Sequence, residues 1–341
     1  MISSDRLPQL RVTVNATCGR ACFYCRPSGE AITTDFRKEL NPDDLINIAE
    51  ECLRHGIRSI KLTGGDPALW LPLIEVVRRL KQEVGFEEVH IISRHPKIGN
   101  LASELFSVGT DLINISIDTL NPKLHHNITG INDLSEVIAA TQLAIASKVN
   151  VKVNTVVMAG VNDHEIEDLV LYFESIGISE LKLLDVIQDL DAGNESFSHR
   201  LLKHNRGKLS DLYVPLLSII EKFRLRAVSE EVVNQGGLGH PMIVLKLPSG
   251  MKLTIKDHST GVWYGSICNT CSHFPCHDAL MALRLTADLR LQFCLLREDI
   301  SVDLKPILAN NPLALHDEIN RAFDIYRNAE FFKQIPALNH S

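Results

Sequence analysis

The chain has 341 residues, 45% hydrophobic and 23% charged, the make-up of a globular protein with a large core and room for a smaller appendage. A formal charge of −7 excludes a general nucleic-acid binder, which would be basic, yet it leaves room for a local basic pocket. No apolar run reaches the ~20 residues of a bilayer span, and the opening MISSDRLPQLRVTV lacks a secretory pattern. A cytoplasmic protein without a membrane partner is expected, in which clustered cysteines are metal ligands rather than disulfides.

From the start to about residue 186, short apolar runs alternate with helical periods. Strands are expected at Leu10–Asn15, Ser59–Thr63, Glu88–Ser93, Leu112–Ile117, Val151–Val157 and Glu180–Val186. Helices are expected to start near Pro42, Leu71, Gly99, Leu134 and Asp163, with Asn41 as a cap ahead of Pro42 and Gly56 as a stop. Such βα units predict an α/β fold with a parallel sheet, either doubly wound or a partial barrel. Cys52 falls on one helical face with Leu45, Ile48, Ala49 and Leu53 and reads as a buried thiol.

The segment 190–208 is polar and aperiodic; its His199, Arg200, Lys203, His204 and Arg206 read as a solvated face before phosphate ligands. An apolar helix follows at 209–223, then a hairpin of Met242–Leu247 and Met251–Ile255 around Pro248-Ser249-Gly250, and a terminal helix around 313–333. The expected division is 1–190 for the barrel, 191–240 for a linker and helix, and 241–341 for a C-terminal cysteine region.

Apart from Cys52, the cysteines form two groups. Cys18-Gly-Arg-Ala-Cys22-Phe-Tyr-Cys25 directly follows the first strand. Soft thiolates select zinc or iron-sulfur clusters, and three on one loop leave an iron of a [4Fe–4S] cube open. The second group runs Cys268-x2-Cys271-x4-Cys276-x17-Cys294. Four thiolates can close a cluster, three would leave an open iron, and a zinc knot with His273 or His277 is the bland alternative.

The C-x3-C-x2-C spacing with Tyr24 before the last cysteine, together with Leu62-Thr-Gly-Gly-Asp-Pro67 after the second strand, resembles the radical S-adenosylmethionine (SAM) superfamily. Asp66 stands where that superfamily has glutamate. The resemblance implies a partial (β/α)6 TIM-like barrel with a C-terminal auxiliary iron-sulfur cluster region. It implies that Cys18, Cys22 and Cys25 hold a [4Fe–4S] cluster whose open iron binds SAM. Reductive cleavage of SAM would then give a 5′-deoxyadenosyl radical that abstracts a substrate hydrogen. The electron donor would be a reductase, flavodoxin or ferredoxin. Tyr24, Gly64, Gly65 and Asp66 would lie beside SAM, although the glycines also suit a tight turn and Asp66 a cap ahead of Pro67.

Within that superfamily, Leu10-Arg11-Val-Thr-Val14, Asn114-Ile-Ser-Ile-Asp-Thr-Leu120, Ile128-Thr-Gly130, Val151-Lys-Val-Asn-Thr-Val-Val-Met158, Gly160-Val-Asn-Asp163 and Leu283-Arg-Leu-Thr-Ala-Asp288 resemble the GTP 3′,8-cyclases of molybdenum-cofactor biosynthesis. The resemblance covers most of 10–186 and then 266–298. It places Ser93, Ser116 and Asn154 against SAM. Arg11, Lys61, Lys152, Lys182 and Arg284 would surround a nucleotide, and Cys268, Cys271, Cys276 and Cys294 would hold a second, auxiliary [4Fe–4S] cluster. Three features depart from the cyclases: the fourth cysteine, Ala282 in place of an arginine, and the ending Ala337-Leu-Asn-His-Ser341 instead of Gly-Gly. A divergent paralogue is expected, cyclising or rearranging a small nucleotide-like or phosphorylated substrate. The alternatives are a peptide-modifying maturase, which would carry a peptide-binding domain ahead of the barrel, a genuine GTP cyclase, and an iron-sulfur module without turnover. No catalytic residue is assigned.

Overall fold

The structure is a computed structural model that describes residues 8–25, 37–188, 207–234, 238, 241–257, 260–276, 280, 282–311 and 313–333. Most of the polar segment, with His199, Arg200, Lys203, His204 and Arg206, lies outside them, as do His277 and the residues 337–341. Among the described residues no helix is long and apolar enough to cross a membrane.

The expected strands form as β1 (Gln9–Thr13), β2 (Ser59–Thr63), β3 (Glu88–Ser93), β4 (Leu112–Ser116), β5 (Asn150–Val156) and β6 (Glu180–Leu184). They are parallel neighbours in chain order. Between them run α1 (Pro42–Arg54), α2 (Leu73–Arg79), α3 (Lys97–Ser107), α4 (Pro122–Thr129), α5 (Leu134–Ala146) and α6 (Ile166–Ser175). Asn41 starts α1 as expected, its Oδ1 accepting from the backbone N–H of Asp43 at 2.8 Å and Asp44 at 3.2 Å. Helix α4 was not expected from the sequence, although Asn121, Pro122 and Gly130 carry its start and stop signals. Its short run offers too few apolar repeats for a period to emerge.

Alternation sorts each strand. Leu10, Val12, Ile60, Leu62, Ile113, Ile115, Leu181 and Leu183 are fully buried in the core with the helices, each stabilising the fold by about 1.5–3 kcal/mol. The intervening Arg11, Lys61, Asn114 and Lys182 face a common interior. Cys52 packs at 0% exposure in the same core, as expected of a small hydrophobe.

The remainder of the chain adds to both flanks of this sheet. Strands β7 (Ser229–Asn234), β8 (Pro241–Lys246) and β9 (Lys252–Lys256) follow α7 (Leu217–Arg224), and β9 pairs parallel with β6. After β10 (Val262–Tyr264) come β11 (Ala282–Leu285), β12 (Arg290–Gln292) and β13 (Val302–Asp303), and β11 pairs parallel with β1. The sheet order is β13-β12-β11-β1-β2-β3-β4-β5-β6-β9-β8-β7, so strands from both halves of the chain share one sheet. The apolar helix expected over 209–223 is a single turn, Leu209–Leu212, and then α7, because Pro215 disfavours a helical Val214. The terminal segment forms α8 (Lys305–Asn310) and α9 (Ala314–Arg327), then β14 (Glu330–Phe332), which pairs antiparallel with β10.

The sheet curves. Lys61 on β2 and Lys182 on β6 lie four strands apart, roughly 19 Å on a flat sheet, yet repulsion between them contributes to the depressed pKa of Lys182. Residues of β1 to β6, β9 and β11 line one cavity, as in a partial barrel whose outer strands do not meet.

Candidate active site

The cysteine loop leaves β1 and is pinned from three sides. The Gly64-Gly65-Asp66 turn after β2 holds it first: Gly65 N–H donates to Asn15 O and Asp66 N–H to Thr17 O, both at 2.7 Å. Ala21 N–H donates to Thr129 O at 2.9 Å, at the end of α4. Arg20 forms a buried ion pair with Asp133, which also meets His125 Nε2 at 2.9 Å. A Cβ on Gly64 would lie 2.3 Å from Asn15 Oδ1, and one on Gly65 would lie 2.2 Å from Thr17 O. Both glycines are therefore demanded by the close approach of the turn to the cysteine loop.

Asp66 is 2% exposed. Its Oδ1 accepts from Ala68 N–H at 3.0 Å and Ser93 Oγ at 2.6 Å, and its Oδ2 from Arg94 N–H at 2.7 Å and His95 N–H at 2.9 Å. A carboxylate offers about four lone-pair positions, and protein donors take all of them. With these donors in place the geometry supports the cap, extended to lock β3 onto the turn; Ser93 serves that lock. Asp66→Asn puts an amide N–H toward donors and is expected to cost about 1.5–3 kcal/mol of stability. Thermal unfolding beside SAM titration checks this: unchanged melting with weakened SAM binding would put the carboxylate on the ligand after all.

Next to the loop, Tyr24 Oη donates to Asp118 Oδ2 at 2.6 Å, and Arg94 Nη2 donates to the same carboxylate at 2.8 Å and to Tyr24 Oη at 2.5 Å. Sequence reasoning missed Arg94 and Asp118, although Asp118 lies within the quoted Asn114–Leu120 stretch. It also missed Lys256, the inward-facing end of β9.

One cavity of about 380 Å³ brings these groups together. Cys18, Cys22, Tyr24, Cys25, Gly64, Gly65, Asp66, Ser93, Ser116 and Asn154 line it, and so do Arg11, Lys61, Lys152, Lys182 and Arg284. Every residue proposed from the sequence for SAM, its cluster or the substrate is thus on this surface. Lys152 is committed elsewhere, to an ion pair with Glu180 directly across the β5–β6 ladder. Burial, then repulsion from Lys152, Lys61 and Lys256, holds Lys182 well below the usual lysine range.

The donor set suits a thiophilic cluster. Burial, reinforced by Asp66 and Cys22, pushes the Cys18 thiol up to about 11, and burial raises Cys22 as well. Thiolates so placed need a cation among them, which bound iron would provide. The cavity wall suits a polar cosubstrate: Asn114 Nδ2, Asn154 Oδ1 and Arg94 Nη1 are buried there and form no hydrogen bond among the described residues.

The second group of cysteines converges apart from this cavity. Cys268, Cys271, Cys276 and Cys294 line one small cavity with Ile267, Phe274, Leu296 and Arg297. The Arg297 guanidinium is held by Asp299 at 2.7 Å and hydrogen-bonds Cys271, placing a positive charge among the sulfurs. His273 gives Cys271 Sγ a backbone N–H at 3.4 Å, but its ring does not line the cavity. Consecutive residues line the two cavities: Leu295 the larger, Cys294 and Leu296 the smaller.

The radical SAM superfamily model matches residues 12–173. A probable GTP 3′,8-cyclase of Pyrococcus horikoshii is 31% identical over 302 residues, 88% of this chain and 87% of the relative. One of Sulfurisphaera tokodaii is 27% identical over 95% of this chain and 92% of its own length. Among solved structures, Streptococcus suis SuiB bound to its precursor peptide SuiA aligns with a TM-score of 0.58 at 11% identity, over 91% of this chain and 66% of SuiB. Native anSMEcpe with bound AdoMet aligns at 0.55 and 14% identity, over 92% of this chain and 84% of its own. At such identities these two speak for the fold alone.

Proposed function

Because the chain belongs to the radical SAM superfamily, we propose that it acts on a small phosphorylated, nucleotide-like substrate in the barrel cavity, by a reaction related to GTP cyclisation but not identical with it. Membership makes it an enzyme, and the [4Fe–4S] cluster and SAM of the superfamily supply, when bound, the one-electron cleavage that starts the reaction. Cys18, Cys22 and Cys25 would hold that cluster.

One arrangement carries the substrate reading: Arg11, Lys61, Lys182, Lys256 and Arg284 line the cavity that also takes in the cysteine triad. Arg284 and Lys61 flank Arg11 in register across β11-β1-β2. A polyphosphate relieves the repulsion that depresses Lys182 and gives the arginines oxygens to fork onto. Asn114 and Asn154, which line the same cavity, would orient polar groups of the substrate or cosubstrate. The names of the full-length relatives favour a GTP-like nucleotide. Two features argue for a different handling of it. Ala282 lines the cavity where the cyclases have an arginine. Four cysteines in one small cavity favour a closed auxiliary cluster, with no open iron to grip a substrate.

The experiment is competition of GTP, GMP and guanosine against a labelled nucleotide on the reconstituted protein. Lys182→Ala and Arg284→Ala are each expected to weaken triphosphate binding about 10- to 150-fold, a charged hydrogen bond's worth, while guanosine binding changes little. Equal losses for all three ligands, or consumption of a peptide but no nucleotide by mass spectrometry, would overturn the reading.

A further inference from the structure

Outside the cavity, a cluster of two histidines and a glutamate joins α1 to α9. Glu51 lies in the last turn of α1 and His55 caps that helix one turn on, so both project from one face. Helix α9 brings His316 against them from 265 residues away. His316 Nδ1 lies 2.7 Å from Glu51 Oε1, and His55 Nε2 lies 3.2 Å from the same oxygen. One ligand atom from each residue falls within 4.8 Å of the others. We propose that Glu51, His55 and His316 form a divalent transition-metal site, best matched to Zn²⁺, that fastens α9 to α1.

His55 carries the argument. Its side chain is 9% exposed, and Nε2 is buried without an aligned hydrogen bond, although it points into the cluster. Such an atom is costly unless something completes its coordination. Glu51 is the matching anion. Arg54 Nη1 occupies Oε2 at 2.7 Å, leaving Oε1 as a monodentate ligand already oriented by a hydrogen bond. Two imidazoles and one carboxylate are the donors of many zinc sites. Ligand atoms bound tetrahedrally at zinc lie about 3.3 Å apart, so 2.7 and 3.2 Å require only a slight opening. The His316 side chain is 62% exposed, which leaves a solvent side for water as the fourth ligand.

The fastening has a structural consequence. Tyr326 of α9 donates to Phe293 O at 2.6 Å and Ala282 O at 2.9 Å, bracing the strand that precedes Cys294 and the cavity wall at Ala282. An ion at the head of α9 would steady that brace.

The test uses anaerobic protein with its iron-sulfur clusters loaded, so that the other cysteine groups are occupied. Zn²⁺ is added, excess is removed, and zinc is counted by mass spectrometry in the wild type, His316→Ala and Glu51→Gln. About one zinc per chain is expected in the wild type and none in either variant, and Zn²⁺ should raise the melting temperature of the wild type alone. Substituted Co²⁺ should show d–d bands without thiolate charge transfer. Because His316 is exposed, its alanine variant keeps the fold, and the readout does not depend on substrate turnover. Equal zinc in the wild type and His316→Ala, or a thiolate-dominated cobalt spectrum, would show a plain hydrogen-bonded cluster instead.

Discussion

Gly65→Ala is expected to deprive the protein of iron at Cys18, Cys22 and Cys25 and to stop SAM cleavage. The added Cβ would sit 2.2 Å from Thr17 O, 2.3 Å from Thr17 C and 2.6 Å from Ala16 O. All three are backbone atoms, so no rotamer change relieves the overlap. The turn or the segment beside Cys18 has to move by about 1 Å, at an overpacking cost of about 1–3 kcal/mol. The bonds from Gly65 to Asn15 and from Asp66 to Thr17 are lost with it, each about 1 kcal/mol. A displacement of that size at a reacting centre costs about a hundredfold in rate or more. Iron counting after anaerobic reconstitution and assay of 5′-deoxyadenosine check the result. Full iron with wild-type cleavage would mean that the loop yields cheaply and that the two glycines serve only the turn.

The second large effect concerns Cys276. Its side chain is buried against Val262 and Tyr264, and Tyr264 Oη donates to its carbonyl at 2.7 Å, so the thiol is held in place before any metal arrives. Cys276→Ala is expected to lower the iron content from about eight to about four per chain, with the cluster on Cys18, Cys22 and Cys25 intact. SAM cleavage in the absence of substrate should survive, while product formation should not. Electron paramagnetic resonance of the reduced protein distinguishes the two clusters. An auxiliary cluster that persists in the variant, and in the wild type shows hyperfine coupling to bound nucleotide, would assign Cys276 as a spectator. The chemistry would then approach that of the cyclases.

Which residues line the candidate site was legible in the sequence through short motifs and the family resemblance they carry. The family resemblance named Arg11, Lys61, Lys182 and Arg284, and in the structure they alternate with fully buried leucines, isoleucines and a valine and face the cavity. The three cysteines on one loop, and the paired glycines after β2, were likewise visible as short motifs. What the sequence could not show is what each polar group spends its hydrogen bonds on. The resemblance reads Asp66 as a SAM ligand with a cap as the alternative, and only the arrival of Ser93, Arg94 and His95 at the end of β3 shows how its oxygens are occupied. Lys152 reads like its cationic neighbours until the β5–β6 register sets Glu180 opposite it. The flanking strands β9 and β11, the two cysteine-lined cavities and the meeting of His316 with Glu51 follow the same rule. Sequence alone determined the direction in which each side chain leaves its own strand or loop, because that depends on a few neighbouring dihedral angles. Tertiary structure decided who meets whom, because pairing across 27 to 265 residues depends on how the whole sheet curves and closes its cores.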